Sequence, residues 1–248
     1  MNNIAVIIPC FKVYPQLIDL LHRYKSEHLD LYLIDDFCLE DSIQRSITEF
    51  KSSLKQNQKL NANIFYERCD FNLGVGGAWL YGLSKAIKNN YDYYVKIDGD
   101  DQHHLSSITE IIQNNIDVLK KGIVKGNRLH SLNSLNKIPK LRLIGNIGLS
   151  FLSRLSTGKW FLNDPVCGFF IVSSNELNNI NFFKLNKRYL FESDLIWNLS
   201  INGRNIYEHP IEANYLGESS NLNIILIVLP FLIFHLKSLF LRIFLLHT

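Results

Sequence analysis

Apolar, β-favouring runs alternate with helix-patterned segments through the first half of the chain, and this alternation leaves few architectures open. Residues 4–8 (IAVII) form an apolar run closed by Pro9. Residues 15–24 open with Pro15 and set Leu17, Ile18, Leu20 and Leu21 on one helical face. A second strand is predicted over 29–34 and is closed by Asp35 and Asp36; Ser42 is placed to cap a helix running to about residue 54. A third strand follows over 64–67, then a helix over 75–88 carrying Ala78, Leu80, Tyr81, Leu83 and Ile87, then a fourth strand over 93–98. Strand and helix in turn predict an α/β, Rossmann-like fold, a mostly parallel sheet flanked by helices on both faces. In such sheets ligands bind beyond the carboxyl ends of the strands. Pro9, Asp35, Asp36 and Asp98 all fall there.

The second half is less regular. Helices are expected over 105–119, 141–155 and 189–202, and strands over 123–125, 169–172 and 205–208. The helix over 141–155 is basic, with Lys140, Arg142 and Arg154. No repeat or low-complexity linker interrupts the chain before about Asn221, so residues 1–220 read as one domain and 221–248 as a hydrophobic tail. Residues 224–234 are all apolar, a run too short to cross a bilayer, which takes about 20. Beyond it, His235, Ser238 and Arg242 share one helical face among Leu, Phe and Ile. That narrow basic stripe predicts an amphipathic, membrane-associated helix at the interface; a tilted single span with Lys237 and Arg242 snorkelling is the variant. The competing reading is a core helix docked on the domain.

No secretory signal is expected, because the chain enters a strand almost at once without a basic stretch or cleavage site. Cys10, Cys38, Cys69 and Cys167 lie far apart with no CxxC pair, which predicts reduced thiols in a cytosolic setting. Together with the tail, this places the domain at the cytoplasmic face of a membrane, peripheral or singly anchored. A formal net charge of +3 gives no argument for a nucleic-acid partner.

The segment from Tyr94 to His103 (YVKIDGDDQH) carries the chemistry. A β-favouring run ends in Asp98, Asp100, Asp101 and Gln102, whose carboxylates would repel one another if left unpaired. A hard divalent cation removes that conflict, and Mg²⁺ is typically held by one or two carboxylates plus substrate phosphates. The spacing also resembles an EF-hand loop, but counting from Asp98 the position that needs a bidentate Glu is Thr109. A plain acidic turn is the competing reading. Residues 72–77 (NLGVGG) follow the third strand and open a helix, where glycines admit a close ligand and the helix N-terminus favours anions. A dinucleotide fingerprint would instead follow the first strand. His103 and His104 read as polar loop residues, and Trp79, Trp160 and Trp197 as packing residues.

Taken in order, residues 7–11 (IIPCF), 33–36 (LIDD), 72–78 (NLGVGGA) and 98–102 (DGDDQ) resemble the signature segments of family 2 glycosyltransferases with the GT-A fold, and among them the polyprenyl-phosphate sugar transferases. Residues 125–128 (KGNR), 145–146 (GN), 164–169 (DPVCGF), 191–194 (FESD) and 210–220 continue the likeness. The resemblance implies that Asp98, Asp100 and Gln102 hold Mg²⁺ or Mn²⁺ on the donor pyrophosphate. It implies a nucleoside pocket of Pro9, Phe11, Asp35 and Asp36, with Gly74 on the same donor side. Arg128 would stand near the phosphates, and Glu192 and Asp194 near the acceptor. Two departures are visible. The family's Asp-Asp-Gly-Ser turn reads DDFC at 35–38, and the Arg that usually ends the DPxxGFR segment is Phe170 here. Arg142, Arg154, Lys187 and Arg188 are the candidates to replace that Arg.

The activity so implied is inverting, metal-dependent transfer of a sugar from a nucleotide-diphosphate sugar to a polyprenyl phosphate at the membrane surface. A lipid phosphate is already anionic and needs no strong base. A sugar hydroxyl of a lipid-linked glycan, the alternative acceptor in polysaccharide assembly, would need Asp194 or Glu192 to take its proton. A non-catalytic, membrane-tethered nucleotide-binding module is the reading from another class.

Overall fold

The computed structural model describes residues 3–14, 16–38, 42–54, 61–101, 103–104, 107–213 and 224–247. The expected alternation is present: β1 (Ile4–Cys10), α1 (Gln16–Tyr24), β2 (Asp30–Asp35), α2 (Ser42–Ser53), β3 (Asn63–Arg68), α3 (Gly74–Ala86) and β4 (Tyr93–Lys96). After it come β5 (His103–His104), α4 (Ile108–Asn114), α5 (Ile116–Leu119), β6 (Gly122–Asn127), α6 (Leu132–Lys137) and α7 (Lys140–Thr157). The chain continues through β7 (Phe170–Ser173), α8 (Ser174–Leu177), α9 (Phe191–Ile201), β8 (Asn205–Pro210), β9 (Glu212–Ala213) and α10 (Ile224–His247).

Seven strands form one sheet in the order β3-β2-β1-β4-β7-β6-β8. All neighbours run parallel except β7, which is antiparallel to both β4 and β6. Because β2 lies on one side of β1 and β4 on the other, the chain order reverses at β1, and a crevice opens there beyond the strand carboxyl ends.

The unbroken apolar run of β1 follows from burial on both sides. Val6 and Ile8 pack with α1, α2 and α4 through Leu17, Leu21, Phe50 and Ile112. Ala5 and Ile7 point the other way, toward Trp79 and Leu83 of α3 and Phe191 and Leu195 of α9. Trp79 packs against the rings of Phe170, Phe182 and Phe191, as expected of a core residue. Trp160, read as another, is 61% exposed.

Three features depart from the sequence reading. The single helix over 105–119 is two: Asn115 leaves helical geometry (φ −130°) and donates its side-chain amide to the Ile111 carbonyl at 2.8 Å. His103 and His104, read as loop, pair antiparallel with Glu212 and Ala213, which ties the acidic turn to the segment after β8. The polar stripe of α10 faces inward. His235 and Ser238 are buried, and the His235 ring meets the Ser156 hydroxyl of α7 at 2.9 Å. The stripe turns to α7 because α7 offers hydroxyl partners, whereas Leu232, Ile233, Leu236, Phe240 and Phe244 of α10 are apolar and exposed.

Candidate active site

A cavity of about 410 Å³ opens at the carboxyl ends of β1, β2 and β4. It gathers Pro9, Phe11, Asp36, Gly74, Asp98 and Asp100, six of the residues singled out in the sequence. Arg188 and Tyr189, from the turn before α9, also line it, Arg188 packing beside Gly74 and donating to the Asn72 carbonyl at 3.3 Å. Arg188 was a candidate for a phosphate contact; Tyr189 had no signal in the sequence pattern.

The two aspartates that end β2 divide their work. Asp35 is fully buried behind the cavity wall, accepting from the Cys38 amide at 2.8 Å and from the Tyr66 hydroxyl at 3.1 Å. It shapes the turn in which Phe37 takes a left-handed φ of 63°. Asp36 reaches the glycine-rich turn instead. Its carboxylate accepts from the Leu73 amide at 2.6 Å, the Gly74 amide at 2.9 Å and the Asn72 side chain at 3.0 Å. The N-terminus of α3 is thus already served by a carboxylate of the protein. Burial raises the Asp36 pKa, and these amides oppose the rise. Gly74 itself is left-handed, with φ 78°, and an added Cβ there would stand 2.9 Å from the Lys187 carbonyl.

The acidic turn after β4 is likewise divided. Asp101 is buried with φ 57°, and Arg23 of α1 holds it through two hydrogen bonds of 2.6 and 2.8 Å. Asp98 and Asp100 stay half-buried on the cavity wall. Gln102 lies outside the described residues.

Beneath Asp98 sits a group the sequence reading passed over. Lys96 is fully buried, and its ammonium lies 2.5 Å from Asp98 Oδ1, 3.1 Å from Glu192 Oε1 of α9 and 3.1 Å from the Gly168 carbonyl. Burial alone would lower its pKa, but the two carboxylates outweigh burial and hold it raised. Gly168 allows this packing, since an added Cβ would fall 1.8 Å from Asp98 Oδ2.

Arg128 and Asp194 are not on the cavity wall. Arg128 is buried in a two-pronged pair with Asp164, at 2.7 and 2.9 Å, and its backbone amide donates to the same carboxylate at 3.0 Å. Asp194 accepts from the Asn186 amide at 2.8 Å and the Asn198 side chain at 2.9 Å, and burial raises its pKa. Lys125 is buried against the Cys167 carbonyl, and burial lowers its pKa. All four cysteines are free and buried.

For Asp164, burial alone would raise the pKa, but Arg128 outweighs it and holds the carboxyl below its usual range. A depressed carboxylate stabilises the fold above its unfolded pKa, about 3.9, and loses that contribution as pH falls through the folded value. Asp164→Asn is therefore expected to cost about 3–5 kcal/mol at neutral pH. The gap to wild type should close below about pH 4, read as thermal unfolding against pH.

Among the described residues no three His, Cys, Asp or Glu side chains gather as a metal cluster. Two carboxylates on one wall still fit a hard cation that takes its other ligands from phosphate oxygens and water. The family model for glycosyl transferase family 2 matches residues 5–192, which span the sheet from β1 to the start of α9. The chain belongs to that family. This glycosyltransferase is 28% identical to the UDP-N-acetylglucosamine–dolichyl-phosphate N-acetylglucosaminyltransferase of Methanococcus voltae, over 86% of each chain. It is also 24% and 25% identical to two uncharacterized proteins of Methanocaldococcus jannaschii, over 86% of its own length and 82% and 89% of theirs.

Proposed function

We propose that this glycosyltransferase moves a sugar, with inversion, from a nucleotide-diphosphate sugar to a polyprenyl phosphate at the cytoplasmic face of a membrane, with Mg²⁺ or Mn²⁺ on the donor diphosphate. The observation that carries the reading is the convergence of Asp98 and Asp100 with Asp36, Gly74 and Arg188 on one cavity at the sheet's switch point. Pro9 and Phe11 offer apolar surface to a base. Asp36 keeps one acceptor site for a ribose hydroxyl, since a carboxylate has about four and three are taken. Asp98 and Asp100 would hold the cation, joined by Gln102 as the resemblance implies. When bound, that ion supplies Lewis-acid stabilisation of charge growing on the leaving diphosphate. The guanidinium of Arg188, beside the glycine-rich turn, suits phosphate oxygens.

The acceptor reading has two supports. The Methanococcus voltae relative is named for a dolichyl-phosphate acceptor. Of the two candidate bases, Asp194 is already engaged by Asn186 and Asn198 and Glu192 by Lys96, which suits an acceptor that arrives anionic. The tail from residue 221 would hold the cavity near the bilayer, since Val228–Leu245 is apolar and long enough to cross one.

The test is transfer from a panel of radiolabelled UDP- and GDP-sugars to bare polyprenyl phosphate and to a lipid-linked sugar, with Mn²⁺ present. Labelled lipid monophosphate sugar is expected. Turnover confined to the lipid-linked sugar would move the acceptor to a hydroxyl, and no turnover with any pairing would defeat the reading.

A further inference from the structure

The turn that ends β2 buries three of its four side chains. Asp35, Asp36 and Cys38 are turned inward, whereas the Phe37 ring among them is 40% exposed. The backbone under that ring is costly. Phe37 has φ 63°, a left-handed conformation that Gly takes freely and a bulky residue rarely adopts. The neighbouring strand end repeats the combination: Lys12 is left-handed with φ 56°, the Phe11 ring beside it is 46% exposed, and the Lys12 ammonium lies 5.4 Å from the centre of that ring. Strain of this kind collects at ligand sites, where the surrounding structure holds it in place.

The bonds that hold it are present. Strands β1 and β2 pair in parallel register up to Cys10 and Asp35, so Phe11 and Phe37 leave the sheet from neighbouring strand ends. The Asp36 amide donates to the Cys10 carbonyl at 2.9 Å, and the Lys12 amide donates to Cys38 Sγ at 3.4 Å, which ties the two turns together. The Arg68 guanidinium donates to the Cys38 carbonyl at 2.7 Å and lies 5.9 Å from the centre of the Phe37 ring. The ring is thus held in place before any ligand arrives.

We propose that Phe37 binds the donor's base, its ring stacking on the flat nucleobase beside Phe11. This role rests on the donor reading of the cavity given above and adds a residue to it. Asp36, next to Phe37 in the chain, lines the cavity and is assigned to the ribose; the base is the next group along the nucleotide from the ribose. Phe11 lines the same cavity. An aromatic ring suits a purine or a pyrimidine, since every base presents a π-face. Phe37 therefore sets how tightly the nucleoside is held, at a distance from the sugar that is transferred.

The experiment measures initial rates with the full chain in detergent, across donor concentration, for the UDP- or GDP-sugar that wild type turns over. Phe37→Gly relieves the backbone and removes the ring. Phe37→Leu keeps bulk and strain without the ring, and Phe37→Tyr keeps the ring. Donor KM is expected to rise roughly 5- to 100-fold in Phe37→Gly and Phe37→Leu, the range for stacking one base on one ring, with kcat held and Phe37→Tyr close to wild type. Thermal unfolding of each variant checks that the domain is folded. A donor KM unchanged in Phe37→Gly and Phe37→Leu overturns the role. So does a rise in Phe37→Gly that Phe37→Leu does not share, which would assign the effect to the backbone. A fall in kcat at constant KM would mean that the turn serves only to hold Asp36, and it overturns the role as well. No turnover by wild type with any donor would instead defeat the donor reading itself.

Discussion

Asp100→Ala is expected to lower sugar transfer by roughly 10²–10³-fold, the range seen when one preorganised group that stabilises developing charge is removed. The thermal midpoint should hardly move. The reason lies in how the turn after β4 distributes its carboxylates. Asp101 is buried, left-handed and bonded twice to Arg23, so it belongs to the fold. Asp98 is built into the buried network of Lys96 and Glu192. Asp100 is half-buried on the cavity wall, where its loss registers in catalysis before stability. Asp101→Ala is the contrasting variant, expected to destabilise because it removes the buried carboxylate that two Arg23 hydrogen bonds hold. Initial rates across a Mn²⁺ titration, paired with thermal unfolding, separate the two. A wild-type rate for Asp100→Ala, or a wild-type enzyme indifferent to chelator, would remove the metal from the mechanism.

The sheet's parallel half was legible because its signals are local: apolar runs, a helical period between them, and Pro or Asp near the ends of β1, β2 and β4. The same signals located part of the cavity lining, since Pro9 is in the last two residues of β1 and Asp36 and Asp98 lie just past the ends of β2 and β4. What sequence spacing does not carry is which partner a charged group meets across the fold. Asp35 and Asp36 are adjacent, yet one is bound by the Cys38 amide and by the Tyr66 hydroxyl 31 positions on, and the other by amides at the start of α3, the Leu73 amide being 37 positions on. Arg128 pairs with Asp164 at a separation of 36 residues. Lys96 did leave a trace. A lysine inside Tyr94-Val95-Lys96-Ile97 interrupts a run that should be buried, and a charge there requires a partner. The α10 stripe was found but faced the wrong way, because the sequence shows that a helix has a polar face and not what that face meets.

Lys96→Met is expected to destabilise the protein by about 3–5 kcal/mol, because it strips the counter-ion from a buried carboxylate. For a chain of this size that is a fall of roughly 10 °C in thermal midpoint, measured in detergent. The two carboxylates should not suffer equally. Asp98 is 26% exposed and can turn to water, whereas Glu192 is 9% exposed and stays behind in the core. Lys96→Met with Glu192→Gln should therefore recover much of the loss, since a neutral amide leaves no unpaired charge. Transfer should remain impaired in that double variant, because Asp98 has lost the group that fixes its Oδ1, and a displacement of about 1 Å at a reacting centre can cost 10²-fold. The pH dependence follows from the sign of the shift. A lysine with a raised pKa contributes its stability fully below the unfolded value, about 10.4, and loses it only as pH rises through the higher folded value. The gap between wild type and the Lys96→Met, Glu192→Gln double variant, which leaves no unpaired carboxylate in the core to titrate, should thus be flat from about pH 6 to 9. A gap that opened or closed within that window, or a single variant as stable as wild type, would mean that Lys96 is not the cation that holds β4 to α9.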